Sequence, residues 1–213
     1  MVNIEQTLSA PSDLKAVWKT YAYWAFWVSI AFFTVYPLGN WLTSLRADPY
    51  HLYFSAELNI PFIPEFFWIY MSLYLLFILP PLFLTVSQLV VLGKRIIAGT
   101  VISAFVFLLF PAQLGFERIV PEGFYAQMFS NIYAIDLPHN MAPSLHIVYS
   151  TFILLAVAQS STKILVRSTA YGWLLLMILS TLLVHQHHLI DIVSALAVVW
   201  FVSKKWIKGE ENV

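Results

Sequence analysis

The chain has 213 residues, 60% apolar and only 10% charged, with a mean hydropathy of +0.78 and eleven basic residues balanced by eleven acidic ones. An average soluble domain is about 25% charged, so this composition cannot furnish a water-facing surface, and zero net charge offers nothing to a nucleic acid. The absence of cysteine removes disulfides, thiolate nucleophiles and thiolate metal sites. A single all-α membrane domain over residues 1–213 is expected.

A bilayer core of roughly 30 Å takes about 20 apolar residues per helix, and six windows of that kind follow in order. A cytoplasmic segment, 1–20, precedes the first window, Tyr21–Leu42. This stretch is too long for a signal core and ends without a small-residue cleavage site, so it reads as an uncleaved span. The second window lies within Phe66–Leu92, with a bend expected at Pro80–Pro81, where backbone donors are lost. The third is roughly Ile96–Gln113, the fourth Leu145–Ser160 and the fifth Leu165–Val184. The sixth, from about His188 to Ser203, is closed by Lys204, Lys205 and Lys208 and leads into a cytoplasmic tail, 204–213.

The basic residues orient this six-span bundle. With both termini cytoplasmic, the inner segments hold Lys15, Lys19, Lys94, Arg95, Lys163, Arg167, Lys204, Lys205 and Lys208, against Arg46 and Arg118 outside. That asymmetry follows the positive-inside rule and suits an inner (plasma) membrane protein whose outer face meets the periplasm or exterior. The two long outer connections are Thr43–Glu65 and Leu114–Ser144. In the second, Phe124, Tyr125, Met128, Phe129, Ile132 and Tyr133 recur at helical spacing, as in a helix lying on the membrane or one packed against the bundle.

Chemistry-bearing residues gather at the outer ends. His139 and His146 flank the start of the fourth window, and His185, His187 and His188 fill the turn between the last two; His51 stands alone in the first outer loop. Asp191 is the one carboxylate inside a predicted span, where an ionisable group is costly and marks function. His187 and Asp191 are four apart, hence on one helix face. A carboxylate bound to one imidazole nitrogen orients the ring and raises the basicity of the other, as a nucleophile or general base requires. An aspartate capping the helix start would look the same. In Ala142–Pro143–Ser144–Leu145–His146, Ser144 reads as an N-cap. The free amides that follow form an anion site, with His146 in position to protonate a departing oxygen.

These residues resemble the type 2 phosphatidic acid phosphatase superfamily, whose members share a six-span core and the motifs KxxxxxxRP, PSGH and SRxxxxxHxxxD. Pro143–Ser144–Leu145–His146 matches the second motif with leucine for glycine; Ser180, His187 and Asp191 match the third, with Thr181 in place of its arginine. For the first, Arg118 is present, but Pro111 stands where the lysine belongs and the proline comes only at Pro121. The PSLH form is more similar to the branch that includes inositol phosphorylceramide synthases and bacterial relatives.

The resemblance implies a lipid phosphate as substrate and partner, within membrane lipids and without nucleic acid. It implies a phosphohistidine on His187, positioning by Asp191, acid–base work by His146, and phosphate held by Arg118 and the backbone around Ser144 and Leu145. Gln113 and His188, then His185 and His139, are the available replacements for the missing cations. No cofactor or metal is implied, and hydrolysis is expected ahead of transfer to a lipid hydroxyl. Two other classes stand against it: a zinc site on His185, His187 and His188, and a non-enzymatic lipid-phosphate carrier with a histidine relay.

Overall fold

The computed structural model describes residues 14–46, 49–136 and 138–210, the last six by their backbone alone. Most of the expected N-terminal segment and the side chains of Lys205 and Lys208 therefore lie outside the described residues. Two isolated bridges aside, Tyr50 with Ala112 and Gln113 with His139, the described regular structure is helical. Helix α1 (Leu14–Ser44) is followed by two short turns, Ser55–Asn59 and Pro64–Phe66. Then come α2 (Phe67–Met71), α3 (Leu73–Leu76), α4 (Pro80–Phe83) and α5 (Val86–Leu109). Helix α6 (Ala126–Ile135) lies in the second long connection. Helices α7 (Leu145–Ser160), α8 (Ile164–Leu183) and α9 (Leu189–Glu210) complete the chain.

Among the described residues three helices, α1, α5 and α8, are long and apolar enough to cross a membrane. The expected second span is instead three short helices. Its winding tightens at Ile78 and Leu82, whose amides reach the carbonyls three residues back. Pro80 and Pro81 carry no N–H to return to Leu76 and Phe77, and the freed carbonyl of Phe77 accepts the hydroxyl of Tyr21 from α1 at 2.6 Å. In an apolar medium such a carbonyl needs a replacement donor.

The boundary expected at Gly93–Arg95 is also displaced. A capping box starts α5 earlier: the Thr85 amide donates to Gln88 Oε1 at 2.9 Å and the Gln88 amide to Thr85 Oγ1 at 3.4 Å. Lys94 and Arg95 thus lie inside α5 rather than in a connection.

Helix α7 sits at the centre, against α3, α4, α5, α8 and α9. It is buried on most sides, with Ile147, Val148 and Ile153 fully buried, as a helix at the centre of a bundle is. Its 16 residues span about 24 Å. Helix α1 lies along α5, where Gly93 admits the Trp24 indole; a Cβ there would stand 2.5 Å from the ring. Helix α6 packs on the bundle through Phe129, which has no exposed surface and joins Phe67, Tyr70 and Val184. Of the two readings of that segment, packing accounts for Phe129.

Candidate functional site

The turn between α8 and α9 is built from the end of α8. The amides of Gln186 and His187 both donate to the carbonyl of Thr181, at 3.0 and 3.1 Å, and Val184 N–H to that of Ser180. His185 closes the turn with φ of 54°, a left-handed conformation that costs a non-glycine residue roughly 1–2 kcal/mol. The Thr181 hydroxyl is spent on the carbonyl of Ile178. The wound turn aims His187 back along α9, where its Nδ1 donates to Asp191 Oδ2 at 3.2 Å. The same oxygen accepts the His188 amide at 2.8 Å. Asp191 is 1% exposed, and its Oδ1 is buried without a partner.

The start of α7 joins this assembly through the backbone. Ser144 N–H donates to the Asp191 carbonyl at 3.0 Å, and Ser144 Oγ caps the Ile147 amide at 3.4 Å. Of the donors expected to hold an anion, the Ser144 amide is therefore consumed. Those of Leu145 and His146 keep no partner among the described residues.

His146 stands with its ring centroid 6.2 Å from that of His187. Its Nε2 is buried without a partner, while Nδ1 lies 3.3 Å from the hydroxyl of Tyr70. Tyr70 stacks on the imidazole at 4.2 Å, and its hydroxyl also reaches Asp136 Oδ2 at 3.4 Å. Neither Tyr70 nor Asp136 was singled out from the sequence, because a tyrosine in an apolar window and an aspartate in a loop are unremarkable in one dimension.

Arg118 closes this side. Its guanidinium donates to the carbonyls of Tyr133 (3.1 Å) and Asp136 and lies over the Tyr133 ring, 4.9 Å from its centroid, with Nε buried and unpaired. Burial lowers its pKa, opposed by Tyr133 and Tyr70.

The remaining candidates separate. His188 is fully engaged: Nδ1 donates to Glu57 Oε2 at 3.2 Å and Nε2 accepts the Gly115 amide at 3.0 Å, with the ring stacked between Tyr53 and Phe116. Expected as a substitute phosphate ligand, it instead ties the segments that carry Glu57 and Gly115 to the start of α9. Gly115 is required there, since a Cβ would come 2.4 Å from Tyr53. Glu57, unremarked in the sequence, is the buried hub of this clamp, also accepting the amides of Phe54 and Leu189.

His185 Nε2 donates to the Ile60 carbonyl at 2.9 Å, and its ring stacks on Phe116. Burial lowers its pKa, as it does for His139, where Arg118 adds to the effect; near neutral pH neither supplies the missing positive charge. Gln113 pairs through its backbone with Tyr50 and His139 and keeps its side chain unbonded. The three histidines of the turn thus aim at three different partners, and no metal-ligand group of three forms among the described residues.

Burial pushes the Asp136 carboxyl up to about 6, with nearby His187 pulling it part of the way down. A carboxyl raised above its ordinary 3.8 keeps in the folded state a proton that the unfolded chain has released. Stability therefore falls as pH rises from about 4 to about 6. Melting of purified protein across that window should show this slope, and Asp136→Asn should flatten it. Equal slopes in both proteins would remove Asp136 as the titrating group.

No family model matches the chain, and neither a curated protein nor a solved structure does. The chemistry available is that of the residues themselves: an aspartate-oriented imidazole, a second imidazole facing it, an arginine and two free helix-start amides.

Proposed function

We propose that the protein transfers phosphoryl groups from a lipid phosphate through a phosphohistidine, most simply to water, as a member of the type 2 phosphatidic acid phosphatase superfamily. The observation that carries this reading is the facing pair: His187, hydrogen-bonded to buried Asp191, with the His146 ring 6.2 Å away. With Nδ1 bound to Asp191, His187 keeps Nε2 as its nucleophile. Nε2 attacks phosphorus, the P–N bond forms and the P–O bond to the lipid alcohol breaks. His146 Nε2 gives the alcohol its proton. Water then attacks the phosphohistidine, losing a proton to His146, and the P–N bond breaks to release phosphate. Arg118 and the amides of Leu145 and His146 offset the charge on the phosphoryl oxygens.

Tyr70 joins His146 to Asp136. When Asp136 is ionised it accepts the tyrosine hydroxyl, whose oxygen then accepts His146 Nδ1–H and leaves Nε2 as a base. With Asp136 protonated the chain reverses and Nε2 carries the proton. The two forms are those that the two half-reactions need.

Purified protein should release phosphate from lipid mono- or diphosphates in detergent, and release should survive thorough chelation because the nucleophile is a side chain. Supplying diacylglycerol, ceramide or inositol lipids decides the acceptor. A new phospholipid formed at the expense of phosphate would replace hydrolysis by transfer. Activity lost to chelator and restored by zinc would overturn the histidine nucleophile.

The proposal includes six membrane crossings, with both termini in the cytoplasm and the histidines outside, supported by the nine-to-two distribution of basic residues. Lys94 and Arg95 then lie within α5, about 12 Å from its inner end. Single cysteines at exposed Ser130 and Thr162, in this cysteine-free chain, should react differently with an impermeant maleimide in intact cells: Ser130→Cys labelled, Thr162→Cys protected. The opposite pattern would invert the topology.

A further inference from the structure

At the end of the bundle away from the histidines, α5, α7 and α9 border a half-open pocket of about 460 Å³, within the roughly 300–1,000 Å³ of ligand pockets. Gln88, Leu92 and Arg95 line one face of α5; Phe152, Ala156 and Gln159 line one face of α7; Ser203 closes it from α9. Thirteen residues of α7, about 20 Å, separate Gln159 from His146, so this is a different place from the site above.

Among the described residues its charge is uncompensated. Arg95 Nε is buried without a partner, and no carboxylate among the described residues pairs with the guanidinium. The carboxylates whose side chains are described, Glu57, Glu65, Glu117, Glu122, Asp136 and Asp191, belong to the outer connections and the start of α9. An arginine inside a membrane helix needs an anion or a path to water, and its planar fork matches a phosphodiester. The Gln159 amide at the rim is likewise unbonded, while Leu92 and Phe152 provide an apolar wall.

We propose that this pocket binds the headgroup of an anionic phospholipid from the leaflet opposite the histidine site, with Arg95 on the phosphate and Gln159 on the polar headgroup. An acyl chain lies along α5 and α7. A free phosphate would have no use for the apolar wall, which is why a lipid is assigned.

The test uses the full chain in detergent, with bound lipid counted by native mass spectrometry. Phosphatidylglycerol and phosphatidylcholine of identical acyl chains compete, and inorganic phosphate is added separately. The expected result is a preference for phosphatidylglycerol on the order of tenfold, reduced to near parity in Arg95→Gln. The cavity-filling Ala156→Phe, which keeps the arginine, should abolish it as well. His187→Ala should keep the preference, which separates this pocket from the proposed active site. Equal binding of the two lipids, a preference untouched in both pocket variants, its loss in His187→Ala, or displacement by millimolar phosphate would each overturn the assignment.

Discussion

Alanine at His187 is expected to abolish turnover, with a loss on the order of 10⁴-fold or more, because no covalent phosphoryl-enzyme can form. The effect should not compound. His187 and Asp191 act as one unit through a 3.2 Å hydrogen bond, so the double variant with Asp191→Asn should be no slower than His187→Ala alone. Acid-labile phosphate trapped on the wild-type chain and absent from the variant is the direct measurement. Wild-type turnover with no trapped phosphohistidine, and a double variant slower than the single, would argue for two independent roles.

His146→Ala should lose roughly 10²–10⁴-fold on lipid phosphates, the usual contribution of a positioned acid. The loss should shrink for aryl phosphates, whose leaving groups need no proton. Tyr70→Phe should move in the same direction by less, since it removes the hydroxyl 3.3 Å from His146 Nδ1 and keeps the stacked ring. Rates on alkyl and aryl substrates, compared between variants, decide the matter. An equal loss on both would leave His146 without the acid role.

The apolar windows made the helices readable in one dimension, because a long apolar run satisfies its backbone polar groups within itself, and among the described residues three of them, α1, α5 and α8, are long and apolar enough to cross a membrane. Boundaries were less legible. The pair Lys94–Arg95 looked like a break between spans because charge is rare there, yet the capping box at Thr85 and Gln88 is the local start signal and lies nine residues earlier. The proline pair located the disruption of the second span. It could not announce the donor that the freed Phe77 carbonyl finds, because Tyr21 comes from another helix.

In the site, His187 and Asp191 do meet in a hydrogen bond, but His187 lies in the turn before α9 and not on its face: Asp191, in the first turn, reaches back to His187 and also caps the His188 amide. The different fate of His188, one residue further on, was not legible. Its partners, Glu57 and Gly115, are 131 and 73 residues away, and nothing local says that a loop carboxylate will be buried against it. Tyr70 is hidden in one dimension for the same reason, its partners His146 and Asp136 being 76 and 66 residues away.

The Ser144 amide bound to the Asp191 carbonyl has a consequence for how the protein meets membranes of different composition. Hydrocarbon thickness varies by a few ångströms between membranes, and helices accommodate it by tilting. If α7 and α9 cross the membrane as proposed, tilting would pivot about the peptide that fastens their starts and would spread or close the far ends of the helices instead. In the six-crossing arrangement proposed above, the gap between the two imidazoles would then be held by backbone geometry from thin to thick bilayers.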